Sequence, residues 1–206
     1  MNDVTTTRLD YLRHGQPIGG QRFRGNGIDD PLSGLGWRQM RETAAAIGSW
    51  QRVITSPMQR CAAFAEWLAT QRGLPLEVID DLREVGFGAW EGADRDQLKR
   101  ERAEEYRAFY ADPVGNRPAG AEPLDDLGQR VGGVFDDLGR RFRGENLLVV
   151  AHAGVIRATL GHVSRMPAAN WYRVLVDNAA VTRFRIDGER ALLIAHNWRP
   201  NIQENP

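Results

Sequence analysis

Histidine and arginine side chains stand directly after predicted strands and turns, where side chains can reach a ligand. Arg13 and His14 follow an apolar run, Arg60 follows the Ser56–Pro57 turn, and His152 follows the most apolar segment. Guanidinium groups offer paired donors to phosphate oxygens, and histidine is a nucleophile that is largely uncharged near neutral pH, since its usual pKa is about 6.5. This set predicts phosphate chemistry through a phosphohistidine, without a metal or a serine nucleophile.

Transfer of a phosphoryl group also needs a proton donor for the leaving oxygen. The loop after Leu82 offers a carboxylic acid, and Glu84 is our candidate. Glu91, in the same loop, is instead expected to accept backbone N–H groups. Trp90 is expected in the core, with stacking on an aromatic leaving group as an open alternative.

Alternating strands and helices must position these groups. Strands are predicted at Leu9–Leu12, Arg52–Thr55, Leu76–Ile79, Leu147–Ala151, Tyr172–Val176, Ala180–Ile186 and Ala191–Ala195. Helices are predicted at Trp37–Ile47, Met58–Arg72, Asp94–Asp112, Leu124–Phe142 and from Gly154 to about Val163, with Ser33 and Ser56 as caps of the first two. This order predicts an α/β fold with a mostly parallel sheet covered on both faces, and a ligand beyond the carboxyl ends of its strands.

The charge balance limits the partners. The 206 residues carry 27 Lys+Arg and 27 Asp+Glu, and this neutrality argues against binding to nucleic acid or to an anionic membrane. Lys99 is the only lysine, which nearly excludes Schiff-base and phosphate-loop chemistry. The only cysteine, Cys61, cannot form an intramolecular disulfide and is expected to pack as a small apolar residue.

The termini and the histidines outside these clusters give further expectations. The polar start MNDVTTTRLD differs from a signal peptide, and the apolar stretch near LLVVAHAGVI is shorter than the roughly 18 residues that span a bilayer. We therefore expect a cytoplasmic protein. His162 and His196 lie in none of these clusters, and we expect both to be hydrogen-bonded structural residues.

Four segments resemble motifs of the histidine phosphatase superfamily, which has the phosphoglycerate mutase-like fold, and they occur in the family's order. They are LRHG at 12–15, SPMQR at 56–60, LREVGFGAWEG at 82–92 and VVAHAGVIR at 149–157. The resemblance implies a single domain over 1–206 with a lid-like insert at about 91–123. It also implies a three-layer α/β/α sandwich whose mostly parallel sheet has an antiparallel edge strand.

The same resemblance implies a role for each candidate side chain. His14 is the nucleophile that becomes phosphorylated, and Glu84 is the general acid and then the base for water. The groups that hold the phosphate are Arg13, Arg60 and His152. Gly15 is a further expected substrate contact, and by analogy with the mutase loop so are Arg24 and Gly25.

Three segments, FGAWEG, GIDDPLSGLGWRQM and RPAGAEPLDDLGQRV, resemble the α-ribazole phosphatase branch of cobalamin synthesis more than the mutases. The family usually has Glu where Gln16 stands and Gly-Glu-Ser where Glu122-Pro123 stand, so the substrate stays open. The expected activity is that of a cofactor-independent phosphoric monoester hydrolase acting on a small-molecule phosphate ester, with α-ribazole 5′-phosphate as a candidate. The alternatives are a phosphoglycerate mutase-type phosphotransferase and a non-catalytic phosphometabolite-binding protein.

Overall fold

A six-stranded sheet forms the centre of the computed structural model, which describes residues 6–200. The strands are β1 (Thr6–Arg13), β2 (Arg52–Thr55), β3 (Leu76–Val78), β4 (Asn146–Ala151), β5 (Val181–Asp187) and β6 (Arg190–Trp198). Their order is β3-β2-β4-β1-β5-β6, and the first four run parallel. Strand β5 pairs antiparallel with β1, and β6 pairs antiparallel with β5. The prediction of a mostly parallel sheet with antiparallel pairing at one edge is confirmed.

Helices cover both faces of the sheet. They are α1 (Gly34–Ile47), α2 (Gln59–Arg72), α3 (Arg95–Glu101), α4 (Ala103–Ala111), α5 (Leu124–Arg141) and α6 (Ala153–Ser164). Short 3-10 helices lie at Asp80–Leu82, Gly88–Trp90 and Ala168–Arg173. Each face has its own hydrophobic cluster: Met40 and Phe64 of α1 and α2 belong to one, and Phe135 and Ile156 of α5 and α6 belong to the other. This arrangement is the predicted three-layer α/β/α sandwich.

The three central parallel strands bring the candidate residues together. Arg13 at the end of β1 stands in register with Ala151 at the end of β4, and Thr55 at the end of β2 stands opposite Val150. The next residues along the chain, His14, His152 and Ser56, therefore follow three adjacent strand ends. The predicted convergence at the carboxyl edge of the sheet is confirmed.

The predicted strand Tyr172–Val176 is wrong, because this region holds the 3-10 helix Ala168–Arg173 followed by irregular chain. Side chains take the backbone carbonyls that a neighbouring strand would otherwise bond. Arg157 Nε donates to Val174 O at 2.9 Å, and Arg13 Nη1 donates to Val176 O at 2.7 Å. Between them, His196 Nε2 lies 2.8 Å from Leu175 O. The segment therefore packs beside the sheet without joining it.

One predicted helix is divided in the structure. The charged run Asp94–Asp112, predicted as one helix, is divided into α3 and α4 at Arg102, whose ψ of 47° departs from helical geometry. Asp94 caps α3 by accepting from the backbone of Asp96 and Gln97. Ser33 caps α1 as predicted.

The predicted cap of α2 is wrong. Met58 occupies the cap position without a side-chain hydrogen bond, and Asp29 Oδ1 accepts from Gln59 N at 2.8 Å. Ser56 lies two positions before that cap, and its hydroxyl accepts from Met58 N at 3.3 Å and lies 2.8 Å from His152 Nε2. Among the helices of residues 6–200, none is both long enough and apolar enough to cross a membrane.

Candidate active site

His14 is held so that one ring nitrogen is directed by the backbone. The backbone N–H of His14 donates to Ala151 O at 2.9 Å, which ties the residue to the end of β4. Its Nδ1 lies 2.8 Å from Gly15 O, and because a carbonyl only accepts, Nδ1 carries the proton. Nε2 of the neutral ring therefore bears the lone pair, and a lone pair at this atom is what a nucleophile needs.

His152 has the opposite tautomer. Arg60 Nε donates to His152 Nδ1 at 3.2 Å, so this nitrogen is the acceptor of the ring. His152 Nε2 then carries the proton and donates to Ser56 Oγ at 2.8 Å. The ring is fully buried, and its centroid lies 5.3 Å from that of His14.

The electrostatic surroundings keep both imidazoles neutral. Burial lowers the pKa of His14 well below its ordinary value, and the charges of Arg13 and Arg60 lower it further. Burial likewise lowers the pKa of His152, and the nearby Arg60 charge adds to the effect. At neutral pH the lone pair of His14 is therefore available for attack.

Arg13 keeps donors for a ligand. Its Nη1 donates to Val176 O, but its Nε is a buried donor with no hydrogen-bond partner within residues 6–200. Burial lowers the pKa of Arg13 to about 10, so the guanidinium remains charged at neutral pH. A charged, half-buried guanidinium with a buried and unpaired Nε–H beside a nucleophile is suited to hold an oxyanion.

Arg60 has only 1% of its surface exposed, and it binds the chain after β1 as well as His152. Its Nη1 donates to Ile28 O and its Nη2 to Gly25 O, both at 2.9 Å. Asp29 Oδ1 lies 3.9 Å from Nη1. Arg60 thus fixes the Gly25–Ile28 loop over the site. The sequence analysis does not predict this structural role.

Glu84 lies at the amino end of α6 and is 9% exposed. Its Oε1 accepts from Val85 N at 2.9 Å and from Gly154 N at 3.0 Å. A side chain at Gly154 would collide with this carboxylate, so the glycine makes room for it. The structure therefore brings Glu84 to the same strand-end region as His152.

The loop that carries Glu84 is fastened by Arg130 of α5. The Arg130 guanidinium donates to the carbonyls of Arg83 and Glu84 at 2.9 and 3.4 Å, and it pairs with the Glu122 carboxylate at 2.7 Å. Glu122 Oε2 in turn accepts from Gly86 N at 3.1 Å. The sequence analysis does not predict this role of Arg130, since only the fold places helix α5 beside the Glu84 loop.

The three further substrate contacts expected from the resemblance have different surroundings. Gly15 packs so closely against Gly36 that a Cβ would meet the Gly36 backbone. Arg24 donates through Nε to Asp30 at 2.8 Å and lines the cavity beside Arg13. Gly25 has a φ of +56° and binds Arg60 through its carbonyl. Their substrate contacts stay a prediction.

Two of the remaining expectations concern the loop after Glu84. Glu91 Oε1 accepts from the backbone N–H groups of Phe87 and Asn26, as expected. Trp90 is fully buried and donates to Glu105 at 2.6 Å, which confirms the core assignment and leaves no open ring face for a leaving group.

The other side chains singled out in the sequence have structural surroundings. Cys61 is fully buried, and burial raises the pKa of its thiol. His162 pairs with Asp136 and His196 with Thr182, so both histidines are hydrogen-bonded as expected. Within residues 6–200, no three His, Cys, Asp or Glu side chains gather as a metal site.

Ser56 is the other residue that the sequence reading missed. Its side chain is fully buried, and its Oγ contacts both His152 Nε2 and Met58 N. Its position directly after β2 is the available signal, but the Ser56–Pro57 pattern predicts a helix cap and no contact with a histidine.

Comparisons with known proteins place the chain among related sequences and folds. A bifunctional protein of Mycobacterium tuberculosis is 32% identical over 200 residues, which cover 93% of this chain, but the chain spans only 54% of that relative. An adenosylcobalamin/alpha-ribazole phosphatase of Escherichia coli is 29% identical, with 96% of this chain and 99% of the relative covered.

A solved mycobacterial glucosyl-3-phosphoglycerate phosphatase, in complex with VO3, is 28% identical and superposes with a TM-score of 0.83, with 92% of this chain and 98% of that chain covered. The family model that describes the histidine phosphatase superfamily (branch 1) matches residues 11–199. This chain is a member of the histidine phosphatase superfamily.

Proposed function

We propose that this protein is a phosphomonoesterase that transfers the phosphoryl group of a small-molecule ester to His14 and then to water. The observation that carries the proposal is the orientation of His14, whose Nδ1–H is bound to Gly15 O so that Nε2 is the free nucleophilic atom. Its pKa, lowered by burial and by neighbouring arginines, keeps that atom unprotonated.

The proposed reaction has two steps. His14 Nε2 attacks phosphorus as the P–O bond to the alcohol breaks, and Glu84 gives a proton to the leaving oxygen. Water then attacks the phosphohistidine, Glu84 takes its proton, and inorganic phosphate leaves. Every step is a proton or phosphoryl transfer, so the scheme needs no redox partner.

Donors around His14 hold the oxygens of the transferring group in this proposal. Arg13 offers its unpaired Nε–H, and His152 offers the Nε2–H that otherwise bonds to Ser56. Arg60 keeps Nδ1 of His152 as the acceptor and so keeps Nε2 as the donor. The three cationic or donor groups oppose the charge that develops on the phosphoryl oxygens.

The alcohol part of the substrate is open, and α-ribazole 5′-phosphate is the first ester to assay. The segments around Trp90 and Glu122 resemble that branch, and the Escherichia coli relative bears the name of an alpha-ribazole phosphatase. The mutase alternative uses the same residues but passes the phosphoryl group to a second hydroxyl.

Hydrolysis of p-nitrophenyl phosphate tests the proposal. The wild-type protein should release p-nitrophenol and inorganic phosphate in equal amounts, and His14→Ala should lose at least 1,000-fold in rate, on the order expected when a nucleophile is removed. Exposed His162→Ala is the matched control and should keep the wild-type rate. No hydrolysis by the wild-type protein would favour the binding-protein alternative, and conversion of 3-phosphoglycerate to its isomer without phosphate release would favour a mutase.

A further inference from the structure

The guanidinium of Arg13 takes its orientation from one backbone carbonyl. Arg13 Nη1 donates to Val176 O at 2.7 Å, and this is the only hydrogen bond of the guanidinium within residues 6–200. A guanidinium is planar and rigid, so the direction of one bound N–H fixes the directions of all the others. The position of Val176 O therefore decides which donors Arg13 offers to a phosphoryl group.

The chain that follows Val176 is also attached to the backbone around the nucleophile. Ala179 N donates to His14 O at 3.3 Å, and Arg13 N donates to Ala180 O at 3.0 Å. A displacement of this stretch would therefore reach both Arg13 and His14.

Apolar packing gives the residues around Val176 little support. Val176 is buried, but Leu175 beside it has 67% of its surface exposed, and Val174 and Asp177 are half-buried. These four residues follow the 3-10 helix and precede β5. Short segments with few buried apolar contacts open locally at a low cost in free energy. The polar side chains that bind the segment are therefore expected to set its position.

Strand β6 contains a bulge beside this segment. Between two successive pairs of the β5–β6 ladder, β5 has one residue, Thr182, and β6 has two, His196 and Asn197. Asn197 has a φ of +54°, in the left-handed region that asparagine adopts more readily than most residues. Successive side chains of a regular strand point to opposite faces, and a bulge breaks this alternation. The bulge therefore allows both side chains to reach the same neighbour.

Both bulge side chains bind the segment that orients the guanidinium. His196 Nε2 donates to Leu175 O at 2.8 Å, since a carbonyl only accepts. Asn197 binds Asp177 twice, because its Oδ1 accepts from Asp177 N at 2.7 Å and its Nδ2 donates to Asp177 Oδ2 at 2.9 Å. Leu175 and Asp177 flank Val176, so the two side chains hold the Val176 carbonyl from both sides.

We propose that His196 and Asn197 are positioning residues of the phosphate site. They fix the residues on either side of Val176, and Val176 O in turn holds the Arg13 guanidinium in the direction from which it binds the phosphoryl oxygens. The proposal rests on the proposed phosphatase reaction and adds two residues that act on it through Arg13, without contact to the reacting atoms.

Removal of the Asn197 amide is the first test. Asn197→Gly keeps a residue that readily adopts a positive φ but loses both hydrogen bonds to Asp177. The kcat/KM for p-nitrophenyl phosphate should fall about 10-fold, because a displaced Arg13 loses a hydrogen bond to a charged group, and such a bond is worth a factor of about 10 or more. An unchanged kcat/KM would overturn the proposal.

Substitutions at His196 separate positioning from a general effect on stability. His196→Gln retains an N–H near the place of Nε2 and should keep about half or more of the wild-type kcat/KM, whereas His196→Ala has no donor and should lose about 10-fold. His162→Ala is the matched control, because it removes a histidine that is hydrogen-bonded to Asp136, and it should keep the wild-type value. Equal values for the Gln and Ala variants of His196 would overturn the proposal.

A double-mutant cycle tests whether the effect passes through Arg13. In an Arg13→Gln background the guanidinium that Val176 O orients is absent, so the addition of Asn197→Gly should change kcat/KM by less than about 2-fold. A further loss of about 10-fold in this background would mean that Asn197 acts on another part of the site, and it would overturn the proposal.

Binding of inorganic phosphate separates this proposal from the reaction on which it rests. Calorimetric titration should give dissociation constants for Asn197→Gly and His196→Ala about 10-fold above those of the wild-type protein and His196→Gln. If no ester is hydrolysed but this order of affinities is present, the phosphatase reaction fails and the positioning stands. Equal affinities in the four proteins, or no binding of phosphate by the wild-type protein, would overturn the positioning whatever the activity.

Discussion

His14 and His152 are buried side by side among arginines, and this placement couples the stability of the protein to pH. Both have a pKa well below the ordinary value in the folded protein, first because of burial and then because of neighbouring positive charge. In the unfolded chain both recover a pKa of about 6.5. Above pH 6.5 both histidines are neutral in the folded and in the unfolded protein, so they do not change its stability with pH. Below pH 6.5 the unfolded chain binds protons that the folded protein does not, and the free energy of unfolding therefore decreases as the pH falls.

We therefore predict that the free energy of unfolding decreases from pH 7 to pH 5. The slope due to each histidine is at most about 1.4 kcal/mol per pH unit, the value for one proton. Urea denaturation at a series of pH values measures it. His14→Ala should reduce the slope, whereas Met40→Leu, which removes no titrating group, should keep it; an equal slope in all three proteins would contradict the assignment.

Gly15 illustrates a glycine required by packing. A Cβ on Gly15 would meet the carbonyl of Gly36 at the start of α1, and a Cβ on Gly36 would meet the backbone of Gln16. Because both neighbours are backbone, neither can rotate away. Gly15→Ala should therefore destabilise the protein by about 1–3 kcal/mol, as over-packing does.

Urea denaturation near pH 7 measures this change. Gly34→Ala is the matched control, because Gly34 lies in helix α1 beside Gly36 and has open space at its Cβ position. It should alter the free energy of unfolding by less than about 1 kcal/mol. Equal effects of the two substitutions would show that the close approach of Gly15 to Gly36 does not matter.

Among the elements, helix α5 controls the loop that carries Glu84. Arg130 spans three carbonyls, those of Asp81, Arg83 and Glu84, and the Glu122 carboxylate with one planar group. A lysine ammonium cannot reproduce this geometry. Arg130→Lys should therefore displace Glu84 while leaving His14 in place. General-acid catalysis matters most when the leaving group is a poor one, which makes the choice of substrate informative.

We predict that Arg130→Lys lowers kcat about 10-fold for glycerol 3-phosphate, whose alkoxide leaves poorly, and much less for p-nitrophenyl phosphate. Initial rates on both esters measure this split. Arg140→Lys, exposed on the same helix, should change neither rate. An equal loss on both esters would mean that Arg130 acts on something other than proton donation.

The sequence predicted those elements whose signals are local. The cap at Ser33 and the apolar periodicity of α1 and α5 are read within a few residues, and these helices agree with the structure to within a few positions. Tyr172–Val176 has the composition of a strand, yet the side chains of Arg157, His196 and Arg13 occupy its carbonyls. The first two partners lie 17 and 21 residues away and Arg13 lies 163 residues away, so no local pattern could reveal them.

In the whole molecule, charge neutrality and a strongly cationic site coexist. The 27 Lys+Arg and 27 Asp+Glu describe the chain, whereas five arginines and one aspartate line the cavity beside His14. The strand-end motifs predicted His14, Arg13, Arg60 and His152 as neighbours, because parallel strands end at one edge. Ser56 and Arg130 could not be predicted in the same way, since their roles depend on which loops and helices meet around that edge.

In the proposed reaction His14 becomes phosphorylated during each turnover. Rapid quenching of the wild-type protein with a 32P-labelled phosphate ester should trap acid-labile, base-stable phosphate, and peptide mapping should place it on His14. His14→Ala, mixed with the same ester, should trap none. Turnover by the wild-type protein without trapped phosphate, or with the label on another residue, would contradict the account.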